Sequence, residues 1–170
     1  MYADRDITTQ MQGMVTVEQT LTIDPFRMNL IAGDPWYGTV KSVVVLYQYE
    51  GREMEMLITH ERGGISHIDH RLPVESRRVE ILKKHSDAKS ANGIIATVWG
   101  IEDGFKGLEG SRRMDGLGAT RWMPCTNKYF GFDGFPNVKK TCVVFVQGKE
   151  GVKVVASREG RGLRLPAGDY

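Results

Sequence analysis

Residues 29–65, NLIAGDPWYGTVKSVVVLYQYEGREMEMLITHERGGI, carry the signals that decide the fold. A Gly-Asp-Pro turn at Gly33–Pro35 leads into TVKSVVVLYQY at 39–49, the strongest strand signal in the chain. Val43, Val45, Tyr47 and Tyr49 fall on one face of that strand, with Val44 and Leu46 on the other. A strand apolar on both faces is expected to be central and covered on both sides. Glu50-Gly51 supplies a turn, and Met54, Met56 and Ile58 then alternate with Glu53, Glu55 and Leu57. The pair is predicted to be an antiparallel hairpin whose second strand is half-buried, ending at Gly63-Gly64.

A weaker copy of this pattern occupies residues 127–163, NKYFGFDGFPNVKKTCVVFVQGKEGVKVVASREGRGL. With Asn29 set on Asn127, Gly33 meets Gly131, Val40 meets Val138 and Lys41 meets Lys139. Val45 meets Val143, Tyr47 meets Phe145, Glu61 meets Glu159 and Gly64 meets Gly162, all without a gap. Turn residues and apolar positions recur in the same order, which is the mark of an internal repeat. The expected fold is therefore all-β, an antiparallel β-sandwich of two similar halves with a short connecting helix. Residues 1–73 form the first β repeat, 74–93 a helix and linker, and 94–170 the second β repeat.

The remaining elements follow from local pattern. Residues 6–23 open on an Asx or Ser/Thr turn, and Val15, Val17, Leu21 and Ile23 then show strand periodicity. Asp24-Pro25 breaks that strand, and Phe26 to Ile31 reads as a short extended run into the Gly-Asp-Pro turn. VESRRVEILKKH at 74–85 is the best helix candidate: Pro73 can start it, and its basic residues gather toward its C-terminal end. Residues 86–93, SDAKSANG, suit a linker. IIATVW at 94–99 is a further strand, and the glycine-dense stretch from Gly100 to Gly118 is a long irregular loop. TCVVFVQ at 141–147 and VKVVAS at 152–157 repeat the hairpin. Trp99 is expected in the core, while Trp122, between Arg121 and Met123, fits either core or surface.

The order IIATVWG, a variable loop, an Asn before a Gly/Asp/Pro turn, a VKxxxVxF strand, a glycine turn and an EG…LRLP ending resembles the C-terminal domain of mitochondrial DnaJ-family proteins. That domain also occurs alone in fungal and other eukaryotic proteins. In the first half the closest piece is GDPWYGTVKSVVVLYQYEG; the opening strand of the pattern is missing, leaving only DIT at 6–8. The second half keeps the opening but has FDGFP in place of an Asp-Pro pair. The resemblance covers about two thirds of the chain and implies a β-rich interaction module with no catalytic residues. No His-Pro-Asp tripeptide is present, so nothing supports recruitment of an Hsp70 chaperone.

Composition narrows the function classes. The 170 residues carry 23 basic and 21 acidic side chains, a net charge of +2, which argues against a general nucleic-acid binder. No run of about 18 apolar residues exists to form a membrane span, and MYADRDITTQ lacks an apolar signal segment. These features suggest a cytoplasmic protein. Two cysteines, Cys125 and Cys142, are too few for a disulfide scaffold, so Cys142 is expected to act as a small buried hydrophobe in a reducing compartment.

Candidate chemistry lies in two places. The turn residues Asn29, Asp34, Trp36 and Tyr37 in one half, and Asn127, Asp133 and Phe135 in the other, place aromatic rings beside a carboxylate and an amide. Such a group can stack on a sugar face and accept its hydroxyl hydrogen bonds, or serve as a protein hot spot. The bland alternative is that Trp36 caps the sandwich and Asp34 makes a turn hydrogen bond. His60, His67 and His70, with Glu61 and Asp69 nearby, have the donor types of a zinc site, though an i, i+3 pair diverges on a strand. No Gly-x-Ser-x-Gly elbow or phosphate-binding Gly-Lys-Ser/Thr is present, and Cys125 with a distant histidine is a weak nucleophile candidate. The expectation is a non-enzymatic module without cofactor or metal that binds a glycan. A protein-assembly module, including a homo-oligomer formed through a strand edge, and a metal-dependent hydrolase at residues 60–70 are the alternatives.

Overall fold

The computed structural model describes residues 5–34, 37–38, 40–52, 54–72, 93–101, 106–107 and 121–166. The helix predicted at 74–85, the linker before Gly93 and most of the 100–118 loop lie outside the described residues. The chain divides into two compact units, Met1–Arg78 and Val79–Tyr170. Among the described residues strands dominate both, every pairing is antiparallel, and helices are short.

In the first unit, helix α1 (Thr8–Met14) is followed by strand β1 (Leu21–Ile23) and a 3-10 turn at Pro25–Arg27. Helix α2 (Met28–Ala32), the hairpin β2 (Ser42–Tyr47) and β3 (Glu55–His60), and strand β4 (Ser66–Ile68) complete it. β1 pairs with β4 and β2 with β3, giving two two-stranded sheets. Two local expectations are corrected here. The strand expected over Val15 to Ile23 is confined to Leu21–Ile23; the expected Asx turn forms, with the Asp6 carboxylate accepting the Thr8 amide at 2.9 Å, and it opens a helix in which Met11 is buried, while Val15 and Val17 are exposed. Residues 25–32 also coil. Asp24 accepts the Phe26 amide at 3.0 Å, and Pro25 is preorganised for a first helical position.

The core of this unit joins Met11, Leu21, Ile23, Met28, Leu57 and Ile68. Val43, Val45, Tyr47 and Tyr49 pack against it, on the predicted face. β3 differs from its expected pattern: Leu57 faces the core, so Glu55 and Thr59, two residues either side, share its face. Both are buried, and the Glu55 carboxylate is satisfied by the Tyr47 hydroxyl, its cross-strand neighbour. Among the described residues β2 pairs only with β3, and all six of its residues are half-buried.

In the second unit, β5 (Ile94–Gly100), β6 (Lys106–Gly107), β8 (Thr141–Gly148) and β9 (Gly151–Arg158) form one sheet in the order β6-β5-β8-β9. β7 (Trp122–Pro124) pairs with β10 (Gly162–Arg164), and helix α3 (Asn127–Phe130) follows β7. Thr126 caps α3 by accepting the Tyr129 amide at 3.2 Å, and Gly131, at φ 81°, ends it in the left-handed conformation that glycine adopts without penalty. One core joins Trp99, Cys142 and Val144 of the sheet with Met123, Phe130 and Leu163. Trp99 is fully buried as expected; Trp122 is about half exposed.

The cysteines depart from the sequence reading. Cys125 and Cys142 form a disulfide with Cα atoms 6.0 Å apart. It ties the segment before α3 to β8, and both residues are fully buried. Cys142 is buried as expected, but the expectation of a free thiol is corrected by this pairing: spacing along the chain could not reveal that β8 and the β7–α3 connection face each other. No helix among the described residues is long and apolar enough to cross a membrane.

Candidate functional site

The loop aspartates singled out from the sequence are each bonded to a lysine that also donates to a glutamate. In the first unit the Lys41 ammonium lies 3.0 Å from Asp34 Oδ1 and donates to Glu61 Oε1 at 3.1 Å. The Lys41 amide donates to Glu61 Oε2 at 3.0 Å, and the Glu61 amide returns a bond to the Lys41 carbonyl at 3.0 Å. In the second unit the Lys140 ammonium lies 2.9 Å from Asp133 Oδ1 and 3.3 Å from Glu159 Oε2. The Lys140 amide donates to Glu159 Oε2 at 3.1 Å, and the Glu159 amide donates to the Lys140 carbonyl at 2.8 Å.

The lysine of the second clasp is the more buried. The Lys140 side chain is 1% exposed and that of Lys41 13%. An ammonium has three protons to donate. Those of Lys140 are met by Asp133, Glu159 and the Val138 carbonyl at 3.0 Å, and the Trp99 ring lies 5.9 Å away. Burial alone would push the Lys140 ammonium down, but its bonds to Asp133 and Glu159 outweigh that and raise it; Lys41 behaves likewise with Asp34 and Glu61. The bond from Lys140 holds the Asp133 carboxyl below its ordinary range.

Each clasp closes a loop at its base. Asp34 and Lys41 bracket residues 35–40, and Asp133 and Lys140 bracket 134–139. Inside the first loop Tyr37 is 95% exposed; Trp36 lies outside the described residues. Inside the second, Phe135 is half-buried, and its amide donates to Asp133 Oδ1 at 3.1 Å. Asn29 is exposed on α2. Asn127 is the first residue of α3, and its side-chain oxygen is buried with no hydrogen-bond partner among the described residues. The Asp34 and Asp133 carboxylates are thus each bonded to a lysine ammonium.

The lysine that plays the part of Lys41 in the second unit lies one residue beyond the aligned Lys139. Lys139, aligned with Lys41 by an ungapped match, is exposed, whereas Lys140 is buried in the clasp. The signal that finds it is spacing: Asp to Lys is seven residues in both units (41 − 34 and 140 − 133). Lys to Glu is 61 − 41 = 20 in one unit and 159 − 140 = 19 in the other, so one frame cannot match all three positions.

The histidines have separate engagements. His60 Nδ1 accepts the Arg62 amide at 3.3 Å, His67 Nδ1 lies 3.1 Å from Thr22 Oγ1, and His70 stacks edge-on against Tyr49 at 5.6 Å. Asp69 is bonded by Arg71, which holds its carboxyl at about 2. Among the described residues no three His, Cys, Asp or Glu side chains come together to hold a metal ion. No family model, curated protein or solved structure matches this chain.

Proposed function

We propose that the chain is a non-enzymatic protein-assembly module made of two copies of one unit, and that it self-associates through the apolar surface of the first. The observation that carries the assembly reading is exposure. Val17 (99%), Tyr37 (95%), Phe26 (89%) and Leu30 (80%) stand almost fully in water, all in residues 1–78. Phe26 and Leu30 are four residues apart across the 3-10 turn and α2, where a helical chain brings side chains to one side. A single exposed apolar residue means little, but a group of large ones is the usual mark of an interaction surface.

Support for two copies comes from the clasps, from the order short strand, short helix, loop, hairpin, short strand in each unit, and from the pairing of the outer strands, β1 with β4 and β7 with β10. Within residues 79–170 we read the four-stranded sheet and the β7–β10 pair as the two layers of a small sandwich, since both contribute to one core. The resemblance to an interaction module agrees with this reading. Light scattering after size exclusion should give a mass above the 19.1 kDa monomer. Phe26→Ser with Leu30→Ser should return it to the monomer; a wild-type protein that stays monomeric at high concentration would remove the reading.

A second reading, glycan binding, is favoured by one observation: Tyr37 projects from a loop pinned at its base. Binding on a glycan array that is lost with Tyr37→Ala would establish it. No binding across a broad array would dismiss it.

A further inference from the structure

We infer that β2 is an acceptor strand, and that a partner polypeptide adds an extended apolar segment to it in the way β5 adds to β8. The inference rests on the two-copy part of the reading above. Setting Lys41 on Lys140 places Ser42–Tyr47 of β2 on Thr141–Val146 of β8. β8 is flanked on both sides, by β9 and by β5, and Cys142, Val144, Phe145 and Val146 are buried. The matching residues of β2, Val43, Val45, Leu46 and Tyr47, are only half-buried. Among the described residues β3 flanks one side of β2 and no strand flanks the other, and no backbone hydrogen bond of Val43–Leu46 goes anywhere but to β3. Among the described residues the first unit therefore shows no counterpart of the strand that β5 supplies in the second.

The chemistry of the edge supports an occupant. Natural edge strands are guarded by charge, proline or a bulge, because an open ladder templates further pairing. The outer strand β9 is guarded in this way by Lys153 and Arg158. β2, reading SVVVLY, carries no charge, no proline and no glycine. Strand addition draws affinity from backbone pairing and specificity from alternate side chains.

β5 also defines the occupant. It runs antiparallel to β8, with Gly100 opposite Thr141, Trp99 opposite Cys142, Val98 opposite Val143 and Thr97 opposite Val144. Transferred to β2, this register puts a large aromatic residue opposite Val43 and small or β-branched residues opposite Val44 and Val45. A second copy is a poor donor of that segment, since its own Val98 and Trp99 are fully buried and would have to leave their core. A separate partner presenting an uncharged, alternating strand fits instead.

The probe is a fluorescein-labelled peptide of sequence IIATVWG carrying terminal lysines for solubility, read by anisotropy and by amide hydrogen exchange on the full chain. Saturable binding is expected, with exchange at Val43–Leu46 slowed by about tenfold and that of β8 unchanged. A scrambled peptide and one N-methylated at alternate residues should not bind. Val44→Lys, on the face away from the core, should weaken binding by about tenfold through the charge placed on the edge; if that variant does not fold, the N-methylated peptide decides the same point. No binding, or protection that changes in β8 and not in β2, would overturn the inference. Phe26→Ser with Leu30→Ser leaves β2 intact, so peptide binding should survive in that variant whether or not self-association does.

Discussion

Lys140 is the residue on which the second unit most depends. Its charge sits out of water, and each of its three protons has an acceptor, so truncation leaves Asp133 and Glu159 facing one another without a cation. Breaking a buried pair by removing one partner costs about 3–5 kcal/mol; with Asp133 about a third exposed, the lower end applies here. Lys140→Ala should therefore cost about 3 kcal/mol in a denaturant melt, while Lys139→Ala, at an exposed site, should stay within about 0.5 kcal/mol. Equal effects would show that the clasp contributes nothing. The pH dependence has a definite sign. The Asp133 carboxyl is depressed in the fold, so its contribution is present above the ordinary carboxylate range and is lost as pH falls through its lowered value. The Lys140 ammonium is raised, so its contribution is present below the ordinary lysine value and is lost as pH rises through the raised one. Asp133→Asn should flatten the acid side of the stability curve and leave the alkaline side in place; an unchanged acid limb would exclude Asp133 as the titrating group.

At the level of elements, the hairpins were legible and their surroundings were not. SVVVLY and TCVVFVQ announce strands because β-branched and aromatic side chains alternate between turn residues, a signal local to the segment. The Asx turn at Asp6 is legible but the helix that follows it is not, and residues 25–32 coil against their extended reading because Asp24 accepts the Phe26 amide, which decides the geometry before any apolar periodicity can. Glu61 and Glu159 were visible as matched positions, but their bonding to a lysine about twenty residues earlier depends on strand pairing. The disulfide was hidden for the same reason. It closes a loop of 17 residues, for which chain entropy gives about 3 kcal/mol. Reduction, or Cys125→Ser with Cys142→Ser, should accordingly lower the melting temperature of the second unit by at least ~10 °C. A melt insensitive to reductant would show the bridge to be dispensable. The β7–β10 pair offers a second test. The Trp122 indole lies over Gly162, and a Cβ there would collide with it. Gly162→Ala should cost about 1–2 kcal/mol by overpacking, and much of that loss should vanish in the Trp122→Ala background. Additive losses would mean that the two residues do not touch in solution.

For the whole molecule, the consequential fact is that two hydrophobic cores form without sharing a residue, one from Met11, Leu21, Ile23, Met28, Leu57 and Ile68, the other centred on Trp99, Met123, Phe130 and Val144. Each unit also has its own clasp. Stability is a local property when the contacts that supply it are local, and cooperative units then open at their own free energies. A lesion in one clasp should stay in its unit. In Lys140→Ala, amide exchange should accelerate at Cys142, Val144 and Leu163, strand residues that share the core of Trp99, while Leu57, Ile23 and Ile68 keep their wild-type rates. Lys41→Ala should give the mirror result with a smaller change, because the Lys41 ammonium is less buried than that of Lys140. Exchange that accelerates by the same factor in both cores for either substitution would show a single cooperative unit. It would also mean that stability in one unit is set by contacts beyond its own clasp, and peptide addition at β2 should then protect β8 as strongly as it protects β2.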